Sequence, residues 1–178
     1  FMGQSDLFAE EDKPIIWFPF VGEDKESQIK KAQEHVIKHS RPLEICPVLP
    51  FPSKKLRRSD SLISEYHKWL FDDSLISAKD IMYVPEQNPF ETYIKLNQVI
   101  RNYDRSLQAI GGCKIVISNF SSKLLSLGAI LTAYEFKTAE IDESKKIGVG
   151  ILNVPSEEYI ISDVKEMKRL KTESQSFL

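Results

Sequence analysis

Apolar and polar positions along this chain fall into two alternating patterns: short, nearly continuous apolar runs, and longer stretches whose apolar residues recur every three or four positions. The first run, Ile15–Phe20, is apolar and aromatic, with prolines near its margins, and reads as a buried strand. Gly22, Glu23 and Asp24 turn the chain. Ile29, Ala32 and Val36 then form the apolar stripe of a helix over Glu26–His39. A second strand is predicted over residues 43–49. Pro47 within it has no N–H to donate, so this strand should lie at an edge or bend there. A loop rich in proline and basic residues covers residues 50–59. It leads into a helix from Asp60 that carries Leu62, Ile63, Tyr66, Trp69 and Leu70 on one face.

Residues 80–84 form the third predicted strand. Asn88, Pro89 and Glu91 then supply an N-cap, a proline suited to the first helical position and the acidic partner of a capping box. That helix runs through Tyr93, Leu96, Ile100 and Leu107 and stops at Gly111 and Gly112. A fourth strand is predicted at 114–118. Ser121 or Ser122 caps a helix over 123–136 that is apolar nearly all round and should be covered on most sides. Further strands are predicted at 138–142 and 149–154, with 159–161 pairing to the latter, and a short helix at 164–170.

Strand and helix alternate through at least four units, which implies parallel pairing through right-handed crossovers. The predicted fold is α/β: a three-layer, doubly wound, mostly parallel Rossmann-like sheet with helices on both faces. Residues 14–170 read as a single domain, 1–13 as a linker or as residues foreign to it, and 171–178 as a frayed end.

Composition narrows the functional classes. The chain has 178 residues, 42% hydrophobic and 28% charged, with a net charge of -2. That balance suits one domain and gives no global attraction to duplex nucleic acid or an anionic membrane. The longest apolar run, residues 14–21, is far shorter than the roughly 20 residues a spanning helix needs, so no membrane partner is expected. Cys46 and Cys113 sit in apolar stretches without metal-ligand spacing. They read as buried, reduced thiols, which points to a reducing, cytoplasmic setting and to neither metal nor cofactor.

In open parallel sheets, ligands bind beyond the carboxyl ends of the strands. That geometry selects the loops carrying Gly22, Glu23 and Asp24; Phe51, Ser53, Lys54, Lys55, Arg57, Arg58 and Asp60; Glu86 and Asn88; and Ser118, Asn119, Ser121, Ser122 and Lys123. The last of these joins a strand to a helix start. Its free N–H groups, hydroxyls and ammonium suit a phosphate. The basic loop adds guanidinium groups that match phosphate oxygens. Ser53, Arg57, Arg58, Ser118, Asn119, Ser121, Ser122 and Lys123 are therefore the expected ligand-binding residues. Asp60 and Glu86 are the carboxylates placed to act as acid, base or metal neighbours. Phe51 and Phe120 are aromatics placed to stack on a base. The histidines His35, His39 and His67 all fall in predicted helices away from this edge, and no nucleophile-histidine arrangement is present there.

The strand, turn and helix from Lys114 to Glu135 resemble the ligand-sensing Rossmann-like domains of the CARF type, associated with CRISPR systems. The matching turn is Phe120-Ser121-Ser122-Lys123, followed by Leu-Leu-Ser-Leu-Gly-Ala; the paired glycines of that family's turn are absent. The resemblance implies contact between this turn and a cyclic oligonucleotide. Residues 47–60 and 83–93 look like signatures of a bacterial family. The resulting expectation is a non-catalytic binding or regulatory domain for an anionic, nucleotide-like ligand. An enzyme of nucleotide or phosphosugar metabolism and an interaction scaffold are the alternatives. By analogy with sensor domains of this architecture, a homodimer is expected.

Overall fold

Every strand pairing among the described residues is parallel. The computed structural model describes residues 13–39, 43–138 and 147–154. Strand β1 (Ile15–Phe20) leads into helix α1 (Glu26–His39) and then β2 (Leu43–Ile45) and β3 (Val48–Pro50). Helix α2 (Arg58–Glu65) is extended by a π-helical turn (Lys68–Asp73) and a 3-10 turn (Ala78–Asp80) before β4 (Met82–Val84). Helix α3 (Pro89–Leu107) returns the chain to β5 (Lys114–Asn119), followed by α4 (Lys123–Thr138) and β6 (Gly148–Ile151).

The sheet order is β4-β3-β1-β5-β6, with β2 also beside β1. β2 and β3 are one strand interrupted at Cys46 and Pro47, for both keep a single register against β1: Ile15 faces Leu43 and Phe20 faces Val48. Cys46 N donates to Trp17 O at 2.8 Å, whereas Pro47 offers only its carbonyl, which accepts from Met82 N at 2.8 Å. The edge position expected from Pro47 therefore applies to β2 alone, since β3 lies between β1 and β4. Counted as one strand, β2/β3 gives the order 3-2-1-4-5. The chain winds outward from β1, then crosses back through α3 to place β5 on the other side of β1.

The alternation along β1 sends side chains to two cores. Ile15 and Trp17 pack with Ile29, Ala32 and Val36 of α1 and with Leu62, Tyr66, Trp69 and Leu70. Ile16, Phe18 and Phe20 pack with Leu96 and Ile100 of α3 and Leu125, Ala129 and Phe136 of α4. Helices thus cover both faces, two described helices on each, and the three-layer Rossmann-like architecture follows from the period of two in the strands and 3.6 in the helices.

Local chemistry sets the helix ends. Asn88 Oδ1 accepts from Glu91 N at 3.1 Å, as an N-cap should. The reciprocal half of the capping box is missing: Glu91 pairs with Lys95 at 3.1 Å, and Asn88 N donates to Pro85 O instead. Helix α4 has no charged residue from Leu124 to Tyr134. Its Leu125, Ala129 and Phe136 are buried, and Gly128 lies against Pro89 and Thr92 of α3. Leu124, Leu127, Ile130 and Tyr134 are nevertheless exposed, so among the described residues this helix is covered only toward α3 and the sheet. The predicted strand at 149–154 appears as β6. Thr138 ends α4 rather than starting a strand. The rest of the strand expected at 138–142, the segment at 159–161, the helix at 164–170 and both terminal segments lie outside the described residues. No described helix is long and apolar enough to cross a membrane.

Candidate functional site at the carboxyl rim

Because the strands are parallel, the loops after β1, β3, β4 and β5 emerge on one rim, and the crevice between β1 and β5 is the point where the winding reverses. All the sequence-selected residues belong to this rim, but the structure divides them into three groups.

The first is an ion triad. Arg58, the first residue of α2, has a side chain only 12% exposed. Its Nε and one terminal nitrogen donate to the two carboxylate oxygens of Glu23 at 2.9 and 2.6 Å, and its other terminal nitrogen donates to Glu86 Oε1 at 2.5 Å. Glu23 follows β1 and Glu86 follows β4, so one guanidinium ties three rim loops together. Glu86 is 13% exposed, and its second oxygen accepts from Lys54 N at 3.3 Å. The fork of Arg58 holds the Glu23 carboxyl below its ordinary range, against an opposing effect of burial. Two groups selected as ligand-binding and as acid or base, Arg58 and Glu86, thus serve each other. The partner missing from that pairing is Glu23; its signal was an acidic residue in the turn that the strand order places beside the basic loop.

The second group is the β3–α2 loop itself, which is internally braced. Phe51 N donates to Val84 O at 2.7 Å, Glu86 N to Pro52 O at 3.0 Å, and Ser53 Oγ to Lys55 O at 2.7 Å. Ser59 Oγ donates to Pro50 O at 2.7 Å. Arg57 takes up a left-handed backbone with φ of 57° and pairs loosely with Asp60 at 3.6 Å. Arg57, Asp60, Ser61, Ser64 and Glu65 line a shallow open depression along α2. Lys54, Lys55, Leu56 and Arg57 are all exposed.

The third group is the β5–α4 turn. Ser118 faces inward: its buried Oγ accepts from Trp17 Nε1 at 3.0 Å and joins β5 to β1. Asn119 Oδ1 accepts from Ser121 N at 3.2 Å, and its amide nitrogen donates to Ser126 Oγ. Ser122 Oγ accepts from Leu125 N at 3.4 Å, which makes it the helix cap. Ser121 Oγ is shielded from solvent and has no hydrogen-bond partner among the described residues. Lys123 is exposed, and Phe120 is buried. The turn presses on the loop after β1: a Cβ at Gly22 would stand 2.1 Å from Phe120 O. The space between these two loops is therefore occupied by backbone.

Remote from the rim, Cys46 Sγ lies 2.9 Å from Tyr103 Oη, whose hydroxyl donates to Glu44 at 2.5 Å. Burial pushes the Cys46 and Cys113 thiols up to about 11. Among the described residues, no three His, Cys, Asp or Glu side chains are grouped to hold a metal ion.

Sheet order, winding and rim define a Rossmann-like α/β domain. No protein family, curated protein or solved structure matches this chain.

Proposed function

We propose that the chain is a non-catalytic binding or regulatory domain that takes an anionic, nucleotide-like ligand on the carboxyl rim. The supporting observation is electrostatic. Arg58 engages Glu23 and Glu86, the carboxylates of the adjoining loops, and the exposed cations of the β3–α2 loop stand on the same rim as the N-terminal turn of α4. Lys54, Lys55, Arg57 and Lys123 are then the groups that meet phosphate oxygens, while Arg58 ties the β3–α2 loop to the loops after β1 and β4. Of the carboxylates on which an enzyme reading depends, Glu86 is bound by Arg58, and Asp60 stands exposed 3.6 Å from Arg57.

Calorimetric titration with inorganic triphosphate tests this reading. Binding to the unaltered chain should weaken at least about tenfold, equivalent to about 1.4 kcal/mol, in the combined Lys54→Ala, Lys55→Ala, Arg57→Ala variant and separately in Lys123→Ala. It should also fall steeply with added salt. Equal affinities in all three proteins, or no binding at all, would remove the proposal.

A further inference from the structure

We infer that the β3–α2 loop is a two-part subsite in which Phe51 is the platform for a heterocyclic base and Lys54, Lys55 and Arg57 hold the phosphates attached to it. The inference rests on the anion-binding reading above and adds the ligand's other half.

Three observations carry it. Phe51 is 62% exposed, although it sits on a braced loop and not on a loose one. Its backbone N–H extends the sheet ladder to Val84, and its ring stands edge-on to Tyr83 at 6.2 Å, with an interplanar angle of 79°. The neighbouring tyrosine packs edge-on against the ring while the ring remains open to solvent, which leaves it able to serve as a stacking platform. The other rim aromatic chosen from the sequence, Phe120, is buried at 7% exposure and has no face to offer.

The cations lie within six residues of Phe51 in the same loop, where residues 51–60 present three exposed cations and one exposed carboxylate, Asp60. The Arg58 triad matters here: its guanidinium, shared between Glu23 and Glu86, offsets part of the negative charge that lies beside Lys54 N. The span is also suitable. One strand, β1, separates β3 from β5. At about 4.8 Å per strand spacing, the two loops start on the order of 10 Å apart. A nucleoside polyphosphate with its base on Phe51 can run across β1 toward Lys123. A bare phosphate has nothing to place on Phe51.

The test compares four probes, inorganic triphosphate, adenosine triphosphate, cytidine triphosphate and a single-stranded trinucleotide, on the unaltered chain, Phe51→Ala and Phe51→Trp. Base stacking contributes about 1–3 kcal/mol per base, a factor of about 5 to 150. Nucleotides should therefore bind the unaltered chain at least about fivefold tighter than inorganic triphosphate. Phe51→Ala should abolish that difference while leaving triphosphate binding in place, and Phe51→Trp should retain it. Tighter binding of the trinucleotide would identify a strand end as the source of the chemistry, and tighter binding of the mononucleotides a free metabolite. Triphosphate binding that matches nucleotide binding, with Phe51→Ala neutral toward both, would overturn the base platform and leave the anion site standing. Failure of every probe to bind would overturn both. Phe51 is largely exposed, so each variant should melt within a degree or two of the unaltered chain, which separates lost stacking from lost folding.

Discussion

A single side chain, Arg58, joins three loops that are distant in sequence. Removing it strands Glu86, which is 13% exposed, without its cation. Arg58→Ala should cost about 2–3 kcal/mol in urea unfolding, somewhat less than for a fully buried pair. Arg58→Lys should recover only part of this, because an ammonium cannot fork to Glu23 and reach Glu86 together. The triad also predicts a pH dependence. The Glu23 carboxyl is held below its ordinary value of 4.5, so its contribution is complete above that value and disappears as pH falls through the lower folded-state value. The urea midpoint should fall on acidification below about pH 5, and fall less steeply in Arg58→Ala. The two thiols make a separate prediction. Both are buried, with ionisation pushed up to about 11, so iodoacetamide at about pH 8 should label neither in the folded chain and both in denaturant.

At the scale of elements, the contact between the loop after β1 and the turn after β5 leaves room only for glycine. With Phe120 O at 2.1 Å and Ser121 Cα at 3.0 Å from any added Cβ, relief requires backbone movement at the sheet's centre. Gly22→Ala should therefore cost about 3 kcal/mol or more in chemical denaturation. A stability near that of the unaltered chain would mean that the two loops part easily, contrary to the packing described. The turn itself has its polar groups largely committed: Asn119 shapes it and Ser122 caps α4. Lys123 is left as its exposed charged group.

At the scale of the molecule, β1 and β5 are the innermost long strands, each paired on both sides and buried along nearly their whole length. Their amides should exchange with deuterium most slowly, and those of β4 and β6 faster; an inverted order would contradict the described topology. The fold was legible because strands buried on both faces, such as Ile15–Phe20, leave uninterrupted apolar runs, and because Asn88-Pro89 is an unambiguous helix start. Pro47 left two outcomes open, an edge strand or a bend: the strand is interrupted there, at a point where the neighbour needs only its carbonyl. The rim was legible as a place, since parallel winding fixes it. The pairing within the rim was not, because a list of charged loop residues does not say that Arg58 turns inward to Glu23 and Glu86 while Arg57 turns outward.

Among the described residues, helix α4 has an uncovered side that carries no charge from Leu124 to Tyr134. Salting-out agents act on such a surface first, because ions excluded from apolar area raise its free energy of hydration. The described domain should leave solution at lower ammonium sulfate than its modest net charge alone would suggest. Replacing Leu127 with Glu should raise that threshold and shorten retention on a phenyl column. Its melting temperature should stay within about a degree or two.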